Sequence, residues 1–94
     1  MALQITQKNG IIHVEGEIKT ETIESFVTYL NYAFDRNTKI VVNIDKVTAI
    51  DVSGLKMLRI FDRLATIKAK RFYIIGYGSK EIYEDFEITK HQVA

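Results

Sequence analysis

The feature that most constrains the fold is an abrupt change of pattern at residues 48–58, Thr-Ala-Ile-Asp-Val-Ser-Gly-Leu-Lys-Met-Leu. Before it, residues 39–45 form a short apolar run rich in β-branched side chains, which predicts a core strand. From residue 55 to residue 67, apolar residues recur at helical spacing. Because Asp51 and Ser53 are both residue types that cap helices, this stretch predicts a strand that passes directly into a helix.

The polar residues of this turn are also candidates for a site. The Ser53 hydroxyl is expected at the positive end of the helix dipole, on an exposed turn and beside the carboxylate of Asp51. A serine nucleophile needs a base such as histidine, and the sequence places none there. On the residues alone, the favoured interpretation of Ser53 is a helix cap, which would stabilise the helix by about 1 kcal/mol.

The N-terminal third predicts a hairpin followed by a helix. Residues 3–8 and 11–15 alternate apolar and polar side chains around Asn9-Gly10, a typical hairpin turn. Thr20 followed by acidic residues predicts a cap and a first helix from about residue 21 to residue 35. The apolar stripe of this helix consists of Ile23, Phe26, Val27, Leu30 and Phe34.

The alternation of strands and helices predicts the fold class. Residues 70–75 form another apolar strand, a serine cap is predicted at Ser79, and residues 82–86 suggest a short helix before a tail. We expect an α/β fold with a small mixed sheet, made of the N-terminal hairpin and parallel central strands joined by crossover helices. The strands at 39–45 and 71–75 are expected to be parallel neighbours, because a helix connects them.

The second helix has a wide apolar set, so much of its circumference is expected to be covered. A ridge of polar residues is expected to remain exposed, with Asp62 beside it. The commoner explanation for such a ridge is a solvated charged face, and the functional alternative is a surface for partner contact. The apolar set is Leu55, Met57, Leu58, Ile60, Phe61, Leu64, Ala65 and Ile67, and the ridge is Lys56, Arg59, Arg63 and Thr66.

Length and composition exclude several classes of protein. Ninety-four residues are enough for one domain, expected to span 1–94, and too few for two. With 13 basic and 12 acidic side chains, nothing indicates nucleic-acid binding or an anionic membrane. The chain has no cysteine, and no apolar run approaches the roughly 20 residues that span a bilayer. A cytoplasmic domain without membrane insertion is the expectation.

Other candidates for chemistry are weak, so we expect no catalytic residue, cofactor or metal. Residues 76–80, Gly-Tyr-Gly-Ser-Lys, lack the glycine spacing of a phosphate-binding loop and predict only a turn. His13 and His91 have no recognisable companion ligands, and His13 is expected on the less buried face of its strand. Glu15 and Glu17 are expected to be surface carboxylates.

Residues 51–55, Asp-Val-Ser-Gly-Leu, resemble the Asp-Ser-Ser-Gly-Leu signature of the STAS domain family, and in particular of the bacterial anti-sigma factor antagonists. The resemblance extends over nearly the whole chain. In the phosphorylatable members the modified serine precedes the glycine, which corresponds to Ser53, while Val52 replaces the first serine. Residues 16–19 match a Gly-Glu-Leu-Asp segment of the family, so Lys19 stands where an aspartate is usual. The motif residues carried over are Asp51, Ser53 and Gly54.

This resemblance implies a partner switch that is controlled by phosphorylation and regulates transcription. With Ser53 unphosphorylated, such a domain binds an anti-sigma factor, usually a serine kinase of the histidine-kinase ATPase superfamily, and so releases a sigma factor. The kinase supplies ATP and Mg²⁺, and a PP2C-type phosphatase resets the switch. Partner binding is assigned to Lys19, Lys56, Arg59 and Arg63.

Two alternatives belong to other classes. One is an accessory STAS subunit of a lipid-transport ABC system, in which the same helix packs on an ATPase and no phosphorylation is needed. The other is a small nucleotide-binding module, which the missing phosphate motif disfavours.

Overall fold

A computed structural model describes residues 3–77 of the chain. The predicted helix at residues 82–86, its serine cap and the tail lie outside the described residues. Neither helix in the described part is long and apolar enough to cross a membrane. The elements, in chain order, are β1 (Gln4–Lys8), β2 (Ile11–Ile18), α1 (Ile23–Arg36), β3 (Lys39–Ile50), α2 (Val52–Ile67) and β4 (Arg71–Ile75).

The four strands form one mixed sheet in the order β1-β2-β3-β4. β1 and β2 are antiparallel, whereas β2 with β3 and β3 with β4 are parallel, with Lys39 opposite Arg71. The hairpin turn has Asn9 at φ 54° and Gly10 at φ 76°, the two left-handed residues that a type I′ turn requires. The predicted hairpin, the mixed sheet and the parallel pairing of β3 with β4 are confirmed.

Both helices pack on the same face of the sheet. Ile12, Val42 and Ile74 lie side by side across β2, β3 and β4, and all three are buried. The core continues into an aromatic group in which the ring of Phe34 on α1 lies 5.2 Å from Phe61 on α2 and 5.7 Å from Phe72 on β4. These rings join α1, α2 and β4 into one core.

The strands run further than the apolar pattern predicts. β2 continues to Ile18 rather than ending at residue 15, and β3 continues to Ile50 rather than ending at residue 45. The two extensions pair with each other in parallel, with Glu15 opposite Lys46 and Ile18 opposite Ile50. Because this pairing satisfies backbone N–H and C=O groups, it holds polar residues in strands that their side chains alone do not predict.

The predicted start of the first helix is wrong by two residues. α1 begins at Ile23 after Thr22, whose hydroxyl donates to the carbonyl of Glu17 at 2.8 Å. Thr20, predicted as the cap, does not cap α1, because its backbone N–H and hydroxyl both bond to Asp51. Thr20 therefore belongs to a contact between distant parts of the chain.

α2 is covered over much of its circumference, as predicted: Leu58, Phe61 and Ala65 are buried, and Leu55, Met57 and Leu64 are partly buried against the core. Its fully buried residues form one stripe, whereas Ile60 is 48% exposed and Ile67 is 77% exposed. A helix that lies on a sheet beside one other helix has neighbours on only part of its surface, so these two residues face solvent. The buried stripe consists of Gly54, Leu58, Phe61 and Ala65.

Candidate functional site

The carboxyl ends of β2 and β3 meet the N-terminus of α2 at one end of the sheet. The backbone N–H of Asp51 donates to the carbonyl of Ile18 at 3.1 Å, so the β3–α2 turn is attached to the end of β2. The residues that follow β2 are thereby brought beside the Asp-Val-Ser-Gly turn. Lys19 and Thr20 therefore lie at the same end of the domain as Ser53.

Asp51 caps α2, and its two carboxylate oxygens have different partners. Oδ1 accepts from the backbone N–H of Gly54 at 3.0 Å, the bond expected of an N-cap. Oδ2 accepts from the backbone N–H of Thr20 at 2.9 Å and from the Thr20 hydroxyl at 3.1 Å. Asp51 thus fixes both the first turn of α2 and the segment after β2.

Ser53 is not a cap, which corrects the structural interpretation of this residue. α2 begins at Val52 with Asp51 as its cap, so Ser53 is the second residue of the helix. Its half-buried side chain places Oγ 3.0 Å from the Oγ1 of Thr20. The hydroxyl therefore belongs to a small cluster, which we call the Thr20–Asp51–Ser53 cluster.

The electrostatics of this cluster keep Asp51 ionised. The pKa of Asp51 is lowered chiefly by the backbone N–H of Thr20 and then by that of Gly54, with further contributions from the Thr20 hydroxyl and the Ser53 backbone. The amino terminus of α2 also favours a negative charge at this position. At neutral pH, Asp51 is consequently a carboxylate that accepts hydrogen bonds and donates none.

Lys19 interacts with Glu17. Its ammonium group lies 3.3 Å from the Glu17 carboxylate, and both side chains are partly exposed. Glu15 likewise pairs with Lys46 at 3.7 Å, so both glutamates are surface carboxylates, as predicted. Asp51 owes its low pKa to N–H and O–H donors, whereas the Lys19 ammonium group pairs with Glu17.

The glycine of the motif is required by packing. Gly54 is buried, and a Cβ placed there would lie 2.8 Å from the carbonyl oxygen of Ile18 and 2.5 Å from a side-chain carbon of Ile50. The first turn of α2 therefore lies directly against the ends of β2 and β3. This close approach adds to the Asp51 hydrogen bonds that bring Ser53 near Thr20.

The exposed side of α2 begins beside Ser53 and carries both basic and apolar residues. Lys56, Arg59 and Arg63 are exposed, as predicted. Exposed Val52, Ile60 and Ile67 lie among them, because residues three or four positions apart share one side of a helix. We call this surface the α2 face: Val52, Lys56, Arg59, Ile60, Arg63 and Ile67.

The remaining candidates within residues 3–77 form no second site. His13 is half-buried on β2, on the sheet face opposite the core, as predicted. Among residues 3–77, no group of three or more His, Asp or Glu side chains could hold a metal ion. Gly76 follows β4 with φ 97°, in agreement with a turn, and the other glycine of that segment lies outside the described residues.

Fold and site together define an α/β domain with a helix-capping Asp-Val-Ser-Gly turn at the end of a parallel strand pair. A family model for the STAS domain matches residues 1–92, so the chain belongs to the STAS family. A comparison with curated protein sequences gave no match.

Solved structures show the same fold at low sequence identity. The anti-sigma factor antagonist SpoIIAA in its unphosphorylated form is similar at 19% identity and a TM-score of 0.70, covering 92% of this chain and 82% of that one. The Bacillus cell fate determinant SpoIIAA in its phosphorylated form is similar at 15% identity and a TM-score of 0.71, covering 98% and 89%. A Shewanella loihica protein described as having a SpoIIAA-like fold gives 16% identity and a TM-score of 0.50, covering 88% and 71%.

The low pKa of Asp51 predicts how stability depends on pH. A carboxyl whose pKa is lower in the folded state stabilises the fold above its unfolded pKa of about 3.9, and this contribution is lost as the pH falls through the folded value. Asp51→Asn keeps an oxygen that can cap α2 but removes the charge, so its stability should fall less over this acid range. Urea unfolding midpoints measured between about pH 2 and pH 6 compare the two proteins. If wild type and Asp51→Asn lost the same amount of stability over this range, Asp51 would not contribute to the pH dependence.

Substitution of Gly54 by alanine is expected to destabilise the domain. Alanine favours helices by about 1 kcal/mol over glycine, but its Cβ must displace the Ile18 backbone, so we expect a net loss of about 1–3 kcal/mol. Urea unfolding measures this loss, and the amide NMR shifts of Thr20 and Asp51 should change with it. Asn31→Ala, at an exposed position of α1, is the control: it should leave both amide shifts unchanged and should not lower stability, since alanine favours a helix over asparagine. A Gly54→Ala protein as stable as wild type would contradict the close approach.

Proposed function

We propose that this single STAS domain is an anti-sigma factor antagonist whose binding to an anti-sigma factor is controlled by phosphorylation of Ser53. The observation that carries the proposal is the position of the Ser53 hydroxyl: half-buried, on the first turn of α2, beside an ionised aspartate and at the start of the α2 face. Membership of the STAS family supports the proposal. So does the similarity in fold to SpoIIAA, which has been solved in unphosphorylated and phosphorylated forms.

Phosphorylation of Ser53 would change recognition more than folding. A phosphate adds about −1.5 to −2 charges, and at the second residue of a helix this charge is favoured by the backbone N–H groups. The Asp51 carboxylate beside it is unfavourable, as is any partner surface fitted to a neutral hydroxyl. The charge therefore acts chiefly at the interface with the partner.

The α2 face is the surface proposed to contact the partner. It combines the positive charges of Lys56, Arg59 and Arg63 with exposed apolar side chains. This composition suits a partner whose contact surface has an apolar centre and an acidic rim. Lys19 precedes Thr20, which bonds to Asp51 at the start of α2, and is included in the proposed contact surface.

The remaining parts of the proposal follow from the family. A serine kinase serves as the anti-sigma factor and supplies ATP and Mg²⁺, and a PP2C-type phosphatase removes the phosphate. The domain itself is proposed to be non-enzymatic, to need no cofactor, and to act in the cytoplasm without contacting nucleic acid or inserting into a membrane.

Two substitutions at Ser53 separate recognition from stability. Ser53→Ala removes the hydroxyl and one exposed hydrogen bond, so it should abolish phosphorylation, keep partner binding, and cost no more than about 1 kcal/mol of stability. Ser53→Asp places a carboxylate at the helix N-terminus, where it is tolerated, but a charge buried against the partner without a counter-charge costs several kcal/mol of binding. Calorimetry against a serine-kinase anti-sigma factor measures both affinities, and urea unfolding measures both stabilities.

The outcome decides between two functions. Tight binding by the alanine variant and weak binding by the aspartate variant would support the switch. Equal binding by both variants would show that a negative charge at position 53 does not affect partner binding. An accessory role on the ATPase of a lipid-transport ABC system, without phosphorylation, would then be the better proposal.

Charge reversal on the α2 face tests the proposed contact surface. Arg63→Glu should weaken partner binding by at least about tenfold, because it replaces an attractive charge with a repulsive one, and should leave the fold intact because Arg63 is exposed. Lys8→Glu makes the same change at an exposed site at the opposite end of the sheet and is the matched control. Calorimetry should show control affinity within about twofold of wild type, and equal losses in both variants would indicate a non-specific charge effect.

A further inference from the structure

We infer that Thr20 is a positioning residue for Ser53: its hydroxyl holds the Ser53 proton toward the interior of the cluster and leaves the Ser53 lone pairs facing outward. This inference rests on the proposed function, in which Ser53 accepts a phosphoryl group. It assigns a role to a residue that the Asp-Val-Ser-Gly motif does not contain.

The geometry places the Thr20 hydroxyl between two partners. Its Oγ1 is 3.1 Å from Oδ2 of Asp51 and 3.0 Å from Oγ of Ser53. The backbone N–H of Thr20 also donates to Oδ2 of Asp51, at 2.9 Å, so main chain and side chain hold this residue against the same carboxylate. Thr20 is therefore fixed at the site although its side chain is exposed.

The direction of the hydrogen bonds follows from the chemistry of the three groups. An ionised carboxylate accepts only, so the single hydroxyl proton of Thr20 goes to Asp51. The 3.0 Å contact between Thr20 and Ser53 then needs the Ser53 proton, with Thr20 Oγ1 as acceptor. The order of donation is Ser53 to Thr20 to Asp51, and the lone pairs of the Ser53 oxygen point away from Thr20.

This order suits an attack on phosphorus. In the proposed reaction, a bond forms between Ser53 Oγ and the γ-phosphorus of ATP, the bond from that phosphorus to the β,γ-bridging oxygen breaks, and ADP leaves. The Ser53 proton passes to Thr20 as the Thr20 proton passes to Asp51, from which it is released to water. Phosphoryl transfer depends mainly on positioning of the nucleophile, so a weakly basic carboxylate is sufficient at the end of this path.

Thr20 also supplies a hydroxyl that the motif lacks. Val52 has no hydroxyl and is 67% exposed, so the second hydroxyl near Ser53 comes from the segment after β2. The branched Cβ of threonine restricts its side-chain rotation, which helps to keep Oγ1 aimed at both partners.

The protein alone provides the first test. Thr20→Val keeps the shape of the side chain but removes the hydroxyl, whereas Thr20→Ser restores it. Thr66→Val, at an exposed site near the end of α2, is the matched control. We expect three-bond Hα–Hβ couplings to show one dominant Ser53 rotamer in wild type, Thr20→Ser and Thr66→Val, and averaged rotamers in Thr20→Val. The carboxyl ¹³C titration of Asp51 should show a higher pKa in Thr20→Val alone.

A kinase assay provides the second test. With a serine kinase that phosphorylates wild-type Ser53, Thr20→Val should lower kcat by about three- to tenfold, the effect of one net hydrogen bond, with KM nearly unchanged. Thr20→Ser should restore the rate. Should Thr20→Val fail to fold, Thr20→Ala at this exposed position takes its place in both tests.

The outcomes separate the inference from the proposed function. Unchanged Ser53 couplings in Thr20→Val would overturn the positioning role, as would a loss of rate that Thr20→Ser does not restore. If kinases leave wild-type Ser53 unmodified, the proposed function fails, while the couplings still decide whether Thr20 positions Ser53.

Discussion

The carboxylate of Asp51 is the interaction on which the site depends, because it joins segments 31 residues apart. One oxygen caps α2 through Gly54, and the other holds Thr20 at the end of β2. The contact with Thr20 requires the parallel pairing of β2 with β3 up to Ile50, since that pairing brings the two strand ends together. A single side chain thus couples the start of a helix to the register of the sheet.

Local pattern was sufficient to predict the type and order of the elements between residues 3 and 77, but not where each one ends. The Asn9-Gly10 turn, the β-branched run of β3 and the helical spacing of α2 each have a short-range physical cause, and each was confirmed. The choice of cap was not determined locally, because Asp51 and Ser53 are both good caps, and only the bond from Gly54 to Asp51 decides it. The partnership of Thr20 with Ser53 could not be predicted, since it depends on how two distant strand ends align.

The α2 face shows a second limit of sequence patterns. Periodicity identifies apolar residues, but the number of them that are covered depends on the neighbours that the helix acquires. Here α2 has the sheet and α1 as neighbours among the described residues, and Ile60 and Ile67 remain exposed. Under the proposed function, the apolar residues that the fold leaves exposed become part of the surface that recognises the partner.

The direct passage from β3 to α2 has a consequence for timing. Asp51 is the only residue between the end of the strand at Ile50 and the start of the helix at Val52, so this junction contains no loop that could act as a hinge. Under the proposed function, the domain would respond to a new charge without waiting for a segment to reorganise. The delay between phosphorylation and release of the partner would then be set by how fast the two proteins dissociate. Because differences in affinity lie mostly in the dissociation rate, a tighter complex would also give a slower response.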